Sequence, residues 1–147
     1  LRNYKKLLSK ISNFLNEKGS LFIQIFSHEF LAYPFENESD GDWMAREFFS
    51  GGMMPSHNLL LYFQDDLKID QVWRLSGTHY EKTSLAWLNE MDKNKRDIIE
   101  IFKETYGEKN AGIWFQRWRI FYLSCEQLFG YDNGTEWGVS HYRFVKN

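Results

Sequence analysis

Residues 4–26 read YKKLLSKISNFLNEKGSLFIQIF, and the change of pattern inside this stretch decides the fold. Tyr4, Leu7, Leu8, Ile11, Phe14 and Leu15 recur at the spacing of a helix that buries one stripe, and Gly19 is a natural stop. SLFIQIF follows at once, a run rich in Phe and Ile that suits a strand buried on both faces. A helix feeding straight into a buried strand is the pattern of a parallel α/β sheet.

Downstream, residues 27–41 are irregular, and the acidic ENESDGD (36–42) reads as a solvated loop because it lacks clean metal-ligand spacing. DWMAREFFSGG (42–52) reads as a short helix capped by Asp42 and ended by Gly51 and Gly52. Within FFSGGMMPSHN (48–58), Pro55 and Ser56 restart the chain as a helical SHNLLLYFQDD. KIDQVWRLS (68–76) supplies a second strand. A long helix is expected over about Thr78–Tyr106, with Trp87, Met91, Ile98, Ile99 and Phe102 inward and Gly107 as breaker. A second runs over about Ala111–Phe129, with Trp114, Trp118, Phe121, Tyr122, Cys125 and Phe129 spaced at three and four. GYDNG is a turn signal, and the alternating EWGVSHYRFV makes a closing strand.

This order fits one half of a doubly wound α/β sheet, with inserted helices over the strand ends where such folds bind ligands. A complete Rossmann domain needs an early glycine-rich strand-to-helix turn, and Gly51-Gly52 precedes no such turn. The chain opens on Leu1 rather than Met, directly in a helical pattern. The expectation is a fragment that holds one half of such a sheet, with the cofactor-binding half missing.

Composition narrows the function. Aromatic residues make up 18 % of the chain, enough to build a pocket for an apolar or cationic ligand as well as a core. The net charge of −2, with Lys and Arg scattered, argues against a nucleic-acid footprint. No apolar run approaches the roughly 18 residues of a membrane helix, so a cytoplasmic protein without stable membrane insertion is expected. The single Cys125 excludes an internal disulfide and a multi-cysteine metal site, and its aromatic surroundings predict a buried, inert thiol. No metal is expected.

FFSGGMMPSHNLLLYFQDDL (48–67), HYEKTSLAWLNEMD (79–92), WRIFYLSCEQLFGY (118–131) and EWGVSHYRF (136–144) together resemble the cyclopropane-fatty-acid-synthase family of S-adenosylmethionine-dependent methyltransferases, on its coclaurine N-methyltransferase-like branch. The resemblance runs over nearly the whole chain with the motifs in order. It implies a Rossmann-like fold of which residues 1–147 are the C-terminal, substrate-side part, S-adenosyl-L-methionine as cofactor, and a glycine-rich loop and catalytic Glu-His pair upstream of Leu1, so that no catalytic residue falls within the chain. It further implies that Trp118 and Phe121 line an amine site. At three residues apart on a helix they share a face, and two ring faces can hold an aromatic ligand and a developing cation. In the cyclopropane synthases a tyrosine at the place of Tyr80, in His79-Tyr80-x-x-Thr83-x-x-x-Trp87, helps bind a bicarbonate ion. A histidine of that same site is replaced here by Gln24, which can hydrogen-bond an anion but cannot titrate near neutrality.

The substrate-binding candidates are therefore Trp118, Phe121, Tyr80, Gln24 and Met54. Met54 belongs to SGGMMPS, read as an adaptable lid in which glycines allow the bend and methionines fill around a ligand. His28 is a further candidate for the pocket mouth, while His57 and His141 read as structural or exposed. The favoured function is N-methylation of a small aromatic or cyclic amine. The alternatives are methylene transfer to an unsaturated acyl lipid and a non-catalytic remnant serving interaction or regulation. The partner expected is a small-molecule amine or a lipid, with a homodimer left open.

Overall fold

The computed structural model describes residues 3–146. Helix α1 (Tyr4–Ser12) is capped by Asn3, whose side chain accepts the Lys6 N–H at 2.9 Å, and leads through a turn into strand β1 (Ser20–His28). Strands β2 (Tyr33–Pro34) and β3 (Met53–Met54) form a small ladder, with a 3-10 turn at Asp40–Asp42 and helix α2 (Trp43–Phe48) between them. A second 3-10 turn, Leu59–Tyr62, precedes strand β4 (Leu67–Ser76). Helices α3 (Thr78–Lys93), α4 (Lys95–Tyr106) and α5 (Ala111–Gly130) follow, and strand β5 (Trp137–Lys146) closes the chain. No described helix is long and apolar enough to cross a membrane.

The main sheet has the order β1-β5-β4. β5 pairs antiparallel with both neighbours, from Ser20↔Val145 to His28↔Trp137 on one side and from Leu67↔Lys146 to Ser76↔Gly138 on the other. β1 and β4 thus run in the same direction, as the helix-into-strand pattern requires, but they are not adjacent. The wholly parallel sheet expected from that pattern is corrected by β5, which returns from α5 through the Tyr131–Gly134 turn and inserts between them. Asp132 and Asn133 adopt left-handed φ values of 46° and 55° there, the conformation that Asp, Asn and Gly tolerate best.

Within the described residues, one face of β1 is covered. Leu21, Ile23 and Ile25 pack against a core built from Tyr4, Leu8, Leu60, Leu67, Tyr142 and Phe144. The opposite face carries Phe22 and Gln24, and Phe22 remains 56 % exposed beside Trp73. The single long helix expected over residues 78–106 is broken at Asn94, whose φ/ψ of −100°/23° leaves the helical region. The Asn94 side chain donates to the Glu90 carbonyl at 2.8 Å, capping α3 so that α4 starts on a new axis. The helix expected after Pro55 is only the 3-10 turn Leu59–Tyr62, because residues 53–57 are taken up by strand-like pairing.

α3 is pressed onto the end of the sheet through backbone. A Cβ on Gly77 would overlap the carbonyl oxygens of Trp137 and Phe129, and one on Gly138 the carbonyl of Leu75. Beneath this joint a buried polar chain links three segments. Ser27 Oγ and Ser140 Oγ lie 2.5 Å apart, and His57 Nδ1 is 2.7 Å from the same Ser140 oxygen. The Tyr142 hydroxyl donates to the His57 carbonyl at 2.6 Å.

Burial of the imidazole, with the Arg74 charge adding to it, lowers the His57 pKa below its ordinary 6.5, against a weaker opposing pull from Glu29. A histidine whose folded pKa is depressed contributes stability that is complete above its unfolded pKa and is lost as the pH falls through that range. The intact protein should therefore lose unfolding free energy between about pH 7 and 5. His57→Gln should flatten that slope in urea titrations at several pH values, and an unchanged slope would remove His57 from the account.

Candidate functional site

The chain's best-formed hollow, about 430 Å³, lies beyond the carboxyl end of β1, between the 33–45 segment and the facing sides of α3 and α5. Ligands bind in α/β folds at this end of the strands. Its volume is that of a small-molecule site. β1 contributes Phe26; the segment that follows contributes Tyr33, Phe35, Glu36, Asp42 and Trp43; the elbow contributes Phe49 and Met54. α3 supplies Tyr80, and α5 supplies Cys125, Leu128 and Phe129. Among the described residues the lining holds two carboxylates and no Lys, Arg or His.

Aromatic contacts set the walls. Phe26 meets Phe49 at 5.9 Å between centroids and Phe35 at 6.4 Å, while Phe35 and Phe49 lie 5.2 Å apart. Phe49 in turn rests on Phe121 at 5.7 Å, and Phe48 stacks on Phe121 at 4.5 Å and 23°. The same Phe48 meets Trp118 edge-on at 4.9 Å. α2 is thus docked on α5 by rings, reinforced by the Arg117–Glu47 ion pair at 3.1 Å.

Of the residues singled out from the sequence, Tyr80 and Met54 line this cavity. Phe121 stands one ring behind it, supporting Phe49. Trp118 shares a face with Phe121, their rings 5.5 Å apart, but opens onto a second hollow with Trp87, Phe102 and Tyr122. Gln24 lies outside the lining. It shares a face of β1 with Phe26 and sits one step away from the cavity, exposed, its Oε1 3.1 Å from His141 Nε2.

The elbow is held firmly. The His28 N–H donates to the Pro55 carbonyl at 3.0 Å, and the His57 N–H donates to the His28 carbonyl at 2.9 Å. Met54 is 4 % exposed and forms part of the cavity wall. The His28 ring lies behind the cavity rather than at its mouth. Its Nδ1 accepts the N–H groups of Phe30 and Leu31, both at 3.0 Å, so the proton sits on Nε2 and faces Glu136 Oε1 at 3.3 Å. The ring abuts Trp137, whose Nε1 donates to the Tyr33 hydroxyl at 3.1 Å.

Burial, with smaller contributions from Cys125 and Tyr122, raises the Tyr80 pKa, so its hydroxyl stays protonated and acts as a hydrogen-bonding group rather than a phenolate base. Sequence reasoning passed over Phe26, Tyr33, Phe35, Glu36, Trp43 and Phe49. The available signal was the density of rings in the irregular stretch 26–49, which a solvated loop has no need of.

The chain belongs to the mycolic acid cyclopropane synthetase family, whose sequence profile matches residues 1–135. It is 40 % identical to (S)-coclaurine N-methyltransferase of Papaver somniferum over 99 % of its own length and 42 % of that protein's. It superposes with a TM-score of 0.86 and 39 % identity on a crystal structure of coclaurine N-methyltransferase bound to N-methylheliamine and SAH, spanning 99 % of this chain and 44 % of that one. A cyclopropane synthase of Mycobacterium tuberculosis matches with a TM-score of 0.71 at 16 % identity, over 98 % of this chain and 50 % of that one, and shares the fold. The chain thus spans less than half the length of the curated relative, and the fold is that of the C-terminal part of a Rossmann-like methyltransferase.

Cys125 faces the cavity from α5, and burial pushes its thiol up to about 11. Near neutral pH the reactive thiolate is therefore scarce. Ellman's reagent should leave Cys125 unmodified at pH 8 in the folded protein and label it fully in guanidinium. Rapid labelling of the native state would contradict the packing described.

Proposed function

We propose that these residues form the acceptor-binding part of an S-adenosylmethionine-dependent N-methyltransferase acting on a small aromatic or cyclic amine. The carrying observation is the character of the cavity: aromatic and aliphatic walls, two carboxylates, and no cationic side chain among the described residues. Ring faces and carboxylates favour a positive ligand; an aliphatic amine is mostly protonated near pH 7, must give that proton to a base before its lone pair can take the methyl group from sulfur, and is cationic again once methylated. The relatives named above, two of them N-methyltransferases in name, support the same reading.

When bound, S-adenosylmethionine supplies the methyl group. The glycine turn between β4 and α3 does not make a cradle for it, because the backbone of residues 129, 134 and 137 fills that turn. The part assigned to the cavity residues is the acceptor. Phe26, Phe35, Phe49 and Phe129 exclude water, and a dry, fixed site holds a nucleophile in line more effectively than solvent does. Tyr80 offers a neutral hydroxyl at the same wall. Met54 fills the floor, Phe121 fixes the ring of Phe49, and Trp118 fixes Phe48, so both act through α2. Gln24, beside Phe26 on the sheet, would meet ligand only at the site's outer edge. The substrate of this reading is a small molecule met in the cytoplasm, and residues 1–147 act as one unit with the cofactor-binding residues of the same protein.

The test uses the full-length protein, labelled S-adenosylmethionine, and either tetrahydroisoquinoline amines or phospholipid vesicles. Label should enter the amines and not the lipid. Phe49→Ala should raise the amine KM about tenfold with little change in kcat, the loss expected when roughly 1–2 kcal/mol of ring contact disappears. Label appearing only in acyl chains would overturn the reading.

A further inference from the structure

The two carboxylates of the cavity are used differently. Asp42 accepts hydrogen bonds from the Ser39 hydroxyl at 2.9 Å, the Ser39 N–H at 2.9 Å and the Glu38 N–H at 3.1 Å. These bonds, the Ser39 hydroxyl foremost, hold its carboxyl below the usual range. Asp42 is committed to closing the turn that starts α2.

Glu36 has no such employment. It follows Phe35 on the same wall, lies exposed at the cavity's rim, and receives no hydrogen bond or ion pair from any described residue. The nearby Arg46 is turned elsewhere, donating to Asn37 Oδ1 at 3.2 Å and to Glu47 Oε1 at 3.4 Å. Phe35, Trp43 and Phe49 line the same cavity as Glu36, and an anion gains nothing from the negative face of a ring. A cation placed between the carboxylate and the rings gains from both, by a charge-assisted hydrogen bond on one side and ring-face attraction on the other.

We propose that Glu36 is the anchor for the ammonium group of the ligand, and that it makes this cavity select cationic amines over neutral compounds of the same shape. The inference rests on the amine reading of the site and adds the residue that enforces it. The amine arrives charged, meets the Glu36 carboxylate at the rim and lays its hydrocarbon against the rings. Phe35 and Phe49 keep those rings at a fixed spacing, so hydrocarbon and charge are read at separate points of one wall.

The test separates charge from shape by using two probes with the full-length protein. One is N,N-dimethyltetrahydroisoquinolinium, which is permanently charged; the other is its neutral carbon counterpart, dimethyltetralin. Binding is followed by tryptophan fluorescence or calorimetry. The wild type should bind the cation about tenfold tighter than the hydrocarbon, the size expected of one charge-assisted contact partly screened by solvent. Glu36→Gln should abolish that preference and reduce the salt dependence of cation binding, while hydrocarbon binding stays within about twofold. Glu38→Gln, which removes a carboxylate of the same loop, should retain the preference.

An unchanged preference in Glu36→Gln, an equal loss in Glu38→Gln, or no preference in the wild type would each overturn the anchor. Methyl transfer measured in parallel keeps the two ideas apart. Amine methylation with a cation preference that survives Glu36→Gln removes the anchor and leaves the enzyme. A preference that depends on Glu36, without methyl transfer to any amine, retains the anchor and removes the enzyme.

Discussion

The arrangement of the cavity depends on one residue's backbone. At the end of β1, the N–H and carbonyl of His28 both bond to the elbow at residues 55–57, while its ring accepts the N–H groups of Phe30 and Leu31 and faces Glu136. Four segments converge there: β1, the turn that leaves it, the elbow and the start of β5. Without this joint the stretch 29–58 would be a long excursion whose closure is paid for in chain entropy and returned only by scattered ring contacts. With it, Tyr33 and Met54 face one another across a two-residue ladder, and the rings of residues 35 and 49 are brought within contact of β1. His28 is buried because it is a joint, which also explains why it does not reach the ligand space.

Much of the frame was legible from periodicity. α1, β1, β4, α5 and β5 appear where their apolar spacing puts them, because each buries a stripe or a face against a neighbour and the sequence must repeat accordingly. What periodicity missed was decided by single groups. Asn94 continues an unbroken helical pattern, yet its side chain competes for the Glu90 carbonyl and ends α3. Residues 53–57 carry a proline at a good helix start, yet strand-like pairing with β2 and His28 claims their backbone first.

The site was legible only in part. Tyr80 and Met54 belong to motifs with recognisable residues and do line the cavity, whereas Phe121 and Trp118 support it at one remove through α2. The reason lies in the helix: a stripe at three- and four-residue spacing says that rings share a face, but not what the face meets, and α2 came to lie against it. Glu36 was hidden for the opposite reason. It opens an acidic, glycine-containing run that has the composition of solvent-facing loop, and the neighbouring Asp42 and Ser39 do behave in that manner.

One consequence follows from how α3 meets the sheet. Gly77, Gly134 and Gly138 let main chain touch main chain there, so that contact tolerates no side chain and ties the helical layer to the strands without help from the ligand-facing residues. The lining, by contrast, comes largely from the excursion 33–54, which docks on α5 through the side chains of Glu47, Phe48 and Phe49. Architecture and selectivity are therefore written in separate parts of the chain. Exchanges at positions such as 35, 36, 43 and 49 change the lining of the cavity and leave the backbone contacts at residues 77, 134 and 138 untouched.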